Sequence, residues 1–333
     1  MPSGRHPPSL RQLALVIVFI LATALSPVAC AQVARMEIVT FASVTLTDQE
    51  FLAGREDGKP VTVAGELRLP RAGNERFPLV ILLHGSGGIG GYVTDWEQEL
   101  LAMGVATFVI DSFTGRGITS TNNDQSQLGR LAQTEDAYRA LAVLVKHPRI
   151  DPSRVILMGF SRGGQNALYA SLTRFQRMHL SASGARFAAH IALYPDCSYT
   201  YRDDDDLAAP VRIFHGIADN YDPVASCRAY VERLRAQGKD IQITEYPGAA
   251  HVFDGRAYKP AVQLPQAQTT RNCRLEEGEN GQLFNAKTKQ PFSYGDPCVE
   301  RGVTIAYDEE AATEARKAVE EFVTAMLKPA RSP

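Results

Sequence analysis

The sequence predicts an α/β fold in which a mostly parallel β-sheet has helices on both faces. Short apolar runs alternate with helix-compatible stretches along most of the chain, an order typical of a parallel sheet with crossover helices. The run at residues 78–83 is continuously apolar, as expected for a strand buried on both faces. No internal repeat or linker divides the chain, so we expect residues 32–333 to form one domain.

The predicted elements follow one another at the spacing of such a fold. A polar turn with Gly54, Asp57 and Gly58 separates the first two strands, and Pro148 ends the long second helix. The predicted strands are residues 36–44, 61–69, 78–83, 105–110, 154–158, 188–194, 211–215 and 241–246. The predicted helices are residues 92–103, 128–146, 165–173, 223–237 and 309–327.

Residues 255–307 interrupt the alternation of strands and helices. They have little helical pattern, and we expect only a small hairpin at residues 282–294. Loops of this length are usually functional or disordered. The two cysteines in this segment, Cys273 and Cys298, favour an ordered structure.

The first 31 residues are predicted to be an export signal. Arg5 and Arg11 precede an apolar run at residues 13–25, and small residues up to Ala31 form a cleavage site. The run is shorter than the roughly 20 residues that cross a bilayer. Cys30 is an alternative lipid-anchor site, but a proline stands where a bacterial lipoprotein signal has an aliphatic residue. We therefore expect a periplasmic or secreted protein without stable membrane insertion.

The charge balance indicates which partners to expect. The formal net charge is −2, and loss of the two signal arginines makes it −4. A mildly acidic chain is a poor match for nucleic acid or an anionic membrane surface. We therefore expect neither of these to be the main partner.

Four cysteines remain after removal of the signal: Cys197, Cys227, Cys273 and Cys298. An even number in an exported chain predicts two disulfides, and three pairings are possible. We favour Cys197 with Cys227 and Cys273 with Cys298. Metal binding is the weaker alternative because no pair has C-x-x-C spacing. The acidic run at residues 203–206 also lacks the spaced ligands of a calcium site, so we interpret it as a solvated loop.

Residues 155–164, VILMGFSRGG, predict a nucleophile at Ser161. An apolar strand leads into G-x-S-x-G, and a helix-compatible stretch follows. This strand–turn–helix order presents a serine hydroxyl at the edge of a sheet, beside a helix N-terminus that favours negative charge. The motif alone would occur by chance in roughly one chain in ten of this length, so the flanking strand and helix carry the prediction.

A serine nucleophile needs a base and an acid that orients the base. His251 follows the last predicted strand, and Asp219 follows the strand before it. Both are therefore expected at the same sheet edge as Ser161. Asp222 is the rival acid, but Pro223 after it favours a helix cap. The other histidines in comparable positions, His84 and His215, precede glycines and are expected to brace turns.

Two backbone amides are candidates for stabilising an oxyanion. One belongs to Arg162, directly after the nucleophile, and the other to Ser86 in the glycine-rich turn, with Gly87 as the alternative. Arg116, in a loop after another strand, could bind a substrate carboxylate or brace its loop through an ion pair. The residues leave these two roles for Arg116 equally open.

Five stretches together resemble the dienelactone hydrolase family of the α/β-hydrolase superfamily. They are HGSGG (84–88), DSFTGRG (111–117), GFSRGG (159–164), HGIADNYDP (215–223) and GAAHVFD (248–254). The resemblance implies an α/β-hydrolase fold with an eight-stranded, mostly parallel sheet, and hydrolysis of carboxylic esters or lactones without a metal or organic cofactor. In similar exported proteins a cysteine after a Tyr-Pro strand end pairs with one in the next helix, which supports joining Cys197 to Cys227.

The chain departs from this family in two respects. The namesake enzymes use a cysteine nucleophile, whereas this chain has Ser161, which puts dienelactone in doubt as the substrate. They also lack the export signal and the segment at 255–307, which we expect to border the mouth of the active site. A peptidase or acyltransferase with the same triad, or a non-catalytic binding protein, remains an alternative to a serine esterase.

Overall fold

The computed structural model describes residues 4, 35–180 and 184–328. The residues that define the predicted export signal, Arg5, Arg11, Cys30 and Ala31, lie outside the described residues.

An eight-stranded sheet forms the centre of the molecule. Its strands are β1 (Arg35–Thr45), β2 (Lys59–Leu69), β3 (Phe77–Leu83), β4 (Ala106–Asp111), β5 (Ile150–Phe160), β6 (Ala189–Leu193), β8 (Val211–Gly216) and β9 (Ile241–Tyr246). Their order in the sheet is β1-β2-β4-β3-β5-β6-β8-β9. The pairs β1–β2 and β2–β4 are antiparallel, and the other neighbours are parallel. The predicted mostly parallel eight-stranded sheet is therefore confirmed. The short strand β7 (Tyr199–Thr200) lies outside this sheet.

Seven α-helices lie within the described residues. They are α1 (Asp48–Leu52), α2 (Gly91–Ala102), α3 (Ala132–Leu144), α4 (Arg162–Tyr169), α5 (Thr173–His179), α6 (Val224–Ala236) and α7 (Glu309–Met326). The last helix begins where the Asp308 carboxylate accepts a hydrogen bond from the Ala311 amide at 3.0 Å, a typical N-cap. The predicted helix at 165–173 is instead two helices, α4 and α5.

The core occupies both faces of the sheet. On β3, Leu79, Ile81 and Leu83 pack on one face with α3, α4 and α6, whereas Val80 and Leu82 pack on the other with α2 and α7. Successive side chains of a strand point to opposite faces, so an apolar strand without alternation follows from helices on both sides.

The segment at residues 255–307 is ordered and adds its own strands. β10 (Val262–Thr269) pairs antiparallel with β13 (Glu300–Ile305), and β11 (Leu275–Glu277) lies between β12 (Leu283–Asn285) and β7. The hairpin predicted at 282–294 is present only as a turn closed by a bridge between Phe284 and Pro291.

Two disulfides join Cys197 to Cys227 and Cys273 to Cys298, which confirms both predicted pairings. The second one links the two ends of the β11–β12 region. A cross-link over a loop of this size contributes about 2–4 kcal/mol by restricting the unfolded chain.

Neither a membrane-spanning helix nor a metal-binding cluster occurs in the described part of the chain. No helix there combines the length and apolar character that a bilayer requires. No three or more histidine, cysteine or acidic side chains there are placed to hold an ion. In the acidic run, Asp204 pairs with Arg233 and Asp206 with Lys239.

Candidate active site

Ser161 lies on a tight turn between β5 and α4. Its backbone has φ 54° and ψ −117°, a conformation that is rare for residues with a side chain and that occurs at functional sites. The motif requires glycine at residue 159 because the backbone packs closely there: a Cβ on Gly159 would lie 2.0 Å from the Gly163 carbonyl oxygen. The Ser161 amide donates to the Leu193 carbonyl at 2.9 Å, which ties the turn to β6.

The structure brings Ser161, His251 and Asp219 together at one edge of the sheet. The Oγ atom of Ser161 lies 2.9 Å from Nε2 of His251, and Nδ1 of His251 lies 2.6 Å from Oδ2 of Asp219. Each residue follows a parallel strand, β5, β8 or β9, whose carboxyl ends meet at this edge. His251 and Asp219 are buried, and Ser161 is 8% exposed. The arrangement can move a proton from the serine to the imidazole.

The Asp219 carboxylate is fixed by three contacts. Besides His251, it accepts hydrogen bonds from the amides of Tyr221 at 2.8 Å and Asp222 at 2.9 Å. Burial would raise the pKa of Asp219, but the adjacent His251 more than offsets this, and the pKa lies below its ordinary value. The acid is therefore held ionised.

The electrostatics of His251 favour a basic imidazole. Burial would lower the pKa of His251, but the charge of Asp219 and its hydrogen bond outweigh burial, so the pKa lies above the usual 6.5. The loop that carries His251 is anchored to the 255–307 segment, because the Ala306 amide donates to the His251 carbonyl at 3.1 Å. Val252, next in the chain, has φ 57°, a second strained position beside the site.

The glycine-rich turn lies directly beside Ser161. A Cβ on Gly85 would be 3.3 Å from the Cβ of Ser161, and the amide of Thr121 donates to the Ser86 carbonyl at 2.8 Å. Ser86 and Gly87 line the same cavity as Ser161. The predicted oxyanion residue Ser86 is therefore placed at the site, and its role stays a prediction.

The Arg162 side chain serves a structural purpose that the sequence did not indicate. Its buried guanidinium donates to Oε1 of Gln125 at 2.8 Å and to the carbonyls of Leu128 and Gly129. Burial, with nearby Arg130, lowers the pKa of Arg162 to about 10. The side chain thereby holds the loop before α3, while the Arg162 amide opens α4 beside the serine.

The structure does not bring Arg116 to the site. Its guanidinium forms a two-point ion pair with Asp136, at 2.8 and 2.9 Å, and donates to the carbonyls of Ser112 and Val44. The two charged side chains are 4% and 0% exposed. The substrate-binding role predicted for Arg116 is therefore wrong on geometric grounds, and the alternative, an ion pair that braces the loop, describes what is present.

The prediction that Asp222 caps the next helix is also wrong. Helix α6 begins at Val224 with Pro223 in the cap position, and no side chain caps it. The Asp222 carboxyl is instead buried near His251. The sequence around Asp222 does not show whether this residue caps a helix or belongs to the site.

The cavity in front of Ser161 has a volume of about 450 Å³ including its open mouth. The glycine-rich turn and Tyr92 form one side, and Tyr258, Leu264 and Ile305 come from the 255–307 segment. The sequence predicts that this segment borders the mouth, but it does not identify these three side chains. Their apolar character is visible in the sequence, but apolar residues that line a cavity cannot be distinguished there from residues of the core.

Solved structures with the same architecture identify the fold. The structure described as m3DLH superposes with a TM-score of 0.56 at 19% identity, over 88% of this chain and 99% of the other. A dienelactone hydrolase-like promiscuous phosphotriesterase, P91, from metagenomic libraries has a TM-score of 0.54 at 16% identity, over 87% and 98% of the two chains. The fold is therefore that of the α/β-hydrolases.

The sequence comparison then gives the family. The pattern of the dienelactone hydrolase family matches residues 64–327, so the chain belongs to this family and is a carboxylic ester hydrolase. A relative from Methylorubrum extorquens, named "putative carboxymethylenebutenolidase", is 25% identical over 227 residues, 62% of this chain and 77% of the relative. A Bradyrhizobium protein, named "probable 2-oxo-3-(5-oxofuran-2-ylidene)propanoate lactonase", is 23% identical over 204 residues, 56% and 78% of the two chains.

Proposed function

We propose that the protein hydrolyses small carboxylic esters or lactones through an acyl-enzyme formed on Ser161. The observation that carries the proposal is the continuous pair of contacts from Ser161 to His251 and from His251 to Asp219, at 2.9 and 2.6 Å. A serine hydroxyl is a weak nucleophile until a base accepts its proton, and the base needs a fixed orientation. These distances meet both requirements.

The reaction proceeds in two halves. His251 Nε2 accepts the Ser161 proton as Oγ bonds to the carbonyl carbon, and the protonated imidazole then donates that proton to the leaving alcohol. In the second half, water gives a proton to His251 and attacks the acyl-enzyme, and Ser161 leaves with the proton from His251. Asp219 keeps the imidazole in the correct tautomer and stabilises its charged form.

The amides of Ser86 and Arg162 would stabilise the negative oxygen of the tetrahedral intermediates. Loss of one such donor commonly costs about 3 kcal/mol in the barrier. The position of Ser86 on the turn beside Ser161, and of the Arg162 amide at the start of α4, supports this assignment.

We further propose that residues 32–333 form one exported domain, in the periplasm or outside the cell. The disulfides support export, because such bonds persist in oxidising compartments. Residues 255–307 would shape substrate choice in this domain, since Tyr258, Leu264 and Ile305 contribute to the cavity wall.

Turnover of a short-chain ester by the purified mature chain tests the proposal. Wild type should release the alcohol, whereas Ser161→Ala should lose at least about 10³-fold in kcat. Ser153→Ala is the matched control, because this exposed serine bonds to the nearby Asp151, and the substitution should leave turnover unchanged. Ester hydrolysis that survives Ser161→Ala would exclude the assignment. Parallel assays with peptides and acyl acceptors distinguish the peptidase and acyltransferase alternatives.

A further inference from the structure

A second, smaller cavity adjoins the cavity at Ser161. Ser86, Ser161 and Tyr221 line both this cavity and the one in front of the serine. Every residue around the smaller cavity has a polar side chain, and Asp222 and Arg130 are among them. Side chains of this kind favour a polar occupant, because buried polar groups require hydrogen-bond partners.

The polar side chains around this cavity are already bonded to the protein, with one clear exception. Thr270 donates to Asp196 at 2.7 Å, Arg130 donates to Gln165 at 2.9 Å, and Gln125 donates to Ser86 at 3.1 Å. The carboxyl of Asp222 makes no hydrogen bond within the described residues, although the residue is only 5% exposed. An unpartnered buried carboxyl facing a cavity is the feature expected of a ligand contact.

The charge state of Asp222 determines what it can bind. Burial, and then the nearby charge of Asp196, raises the pKa of Asp222 to about 8. The carboxyl therefore holds its proton near neutral pH, and it can donate one hydrogen bond and accept others. Its complement is a small group that also donates and accepts.

We propose that this cavity is a subsite for a hydroxyl group on the acyl carbon next to the reacting carbonyl, held by Asp222. The inference rests on the proposed function and narrows it to esters or lactones of α-hydroxy acids. Because Ser161 bonds to the carbonyl carbon and lines the cavity, a substituent on the adjacent carbon is close enough to enter it.

The size of the cavity supports a hydroxyl group over larger substituents. It leaves about 10 Å³ for the centre of a water-sized group, which is the room that one water molecule needs. A carboxylate or a longer chain does not fit. With an unsubstituted ester, a water molecule would take this place, and a substrate hydroxyl that displaces it keeps the hydrogen bonds and regains part of the water's entropy.

Three phenyl esters test the subsite: the glycolate, the propionate (a methyl in place of the hydroxyl) and the acetate (neither group). For each, kcat/KM from phenol release is divided by the rate of hydrolysis by hydroxide, which removes intrinsic reactivity. Wild type should favour glycolate over propionate about tenfold after this correction. A corrected ratio at or below one overturns the subsite.

Two variants assign the preference to residue 222. Asp222→Val should lose the preference for glycolate, because an apolar side chain cannot form a hydrogen bond with the hydroxyl. Asp222→Asn should retain most of the preference. Glu97→Gln is the control, since this buried carboxyl bonds to Thr107 away from the site and should leave the ratio unchanged. An equal ratio in wild type and Asp222→Val overturns the proposal. If Asp222→Val does not fold, the wild-type ratio still decides.

The outcomes separate this inference from the proposed function. Turnover of all three esters by Ser161-dependent chemistry without a glycolate preference rejects only the subsite. Absence of ester turnover, together with absence of a covalent adduct on Ser161, rejects the proposed function itself.

Discussion

The ring of Tyr194 packs against the imidazole of His251, with the ring centroids 4.8 Å apart. The Tyr194 hydroxyl donates to Asp254 at 2.8 Å, and Nε1 of Trp96 donates to the other oxygen of Asp254 at 2.6 Å. Tyr194 itself has φ 38° at the end of β6. His251 is therefore supported by a buried aromatic group in addition to Asp219.

Removal of Asp254 should destabilise the fold. Asp254→Ala leaves two buried donors without a partner, and we expect the free energy of unfolding to fall by about 2–4 kcal/mol. Urea unfolding measures this change. Asp151→Ala, at a half-buried position near the start of β5 where the carboxylate bonds to Ser153 and Arg154, is the control and should cost less. An equal loss of stability in both variants would show that the buried hydrogen bonds to Asp254 contribute no more than the half-buried ones to Asp151.

The pH dependence of activity should report the pairing of His251 with Asp219. A protonated imidazole cannot accept the serine proton, so kcat/KM should fall as the pH drops through a pKa above 6.5. Asp219→Asn removes the negative charge that raises the pKa of His251. Burial, which lowers this pKa, remains. The acidic limb should therefore move to lower pH, and kcat should fall about 10³–10⁴-fold. An unmoved limb in Asp219→Asn would contradict the pairing.

Arg116 should contribute to stability and not to substrate binding. Arg116→Ala leaves the buried Asp136 without its counter-ion, and we expect a loss of about 3–5 kcal/mol in the free energy of unfolding. Arg55→Ala breaks an exposed pair with Asp57 and should change the free energy of unfolding far less, because water screens exposed charges. A selective rise in KM for substrates bearing a carboxylate, with stability intact, would instead restore a binding role.

Leu264 should limit the length of the acyl chain. Leu264→Ala enlarges the cavity, and each additional methylene that becomes buried should raise kcat/KM about fourfold relative to acetate. Measurements on a series of phenyl esters from acetate to hexanoate test this. Val262→Ala, on the same strand but 36% exposed, is the control. An unchanged chain-length profile in Leu264→Ala would place the acyl group elsewhere.

Much of the fold could be predicted from the sequence because its strands are locally encoded. The strand predicted at 241–246 coincides with β9, and the buried run at 78–83 falls within β3. The sequence also predicts three residues of the site, Ser161, Asp219 and His251, for a related reason. Each lies within a few residues of the carboxyl end of a parallel strand, so topology places them at one edge.

The remaining features depend on tertiary contacts. The helix predicted from residue 128 begins at Ala132, because the Leu128 backbone is extended and its carbonyl accepts a hydrogen bond from the distant Arg162 guanidinium. The partner of Arg116 lies 20 residues away on α3. Asp254 lies 158 residues from Trp96 in the sequence, and no local pattern reveals such a contact.

Labelling by a fluorophosphonate ester tests the central claim most directly, since the reagent forms a stable bond only with an activated serine. Peptide mapping by mass spectrometry should locate a single adduct on Ser161 in wild type and in Ser153→Ala. The adduct should be absent in Ser161→Ala, and His251→Ala should form it far more slowly because no base accepts the proton. An adduct on a different serine, or equal labelling rates in wild type and His251→Ala, would contradict the account.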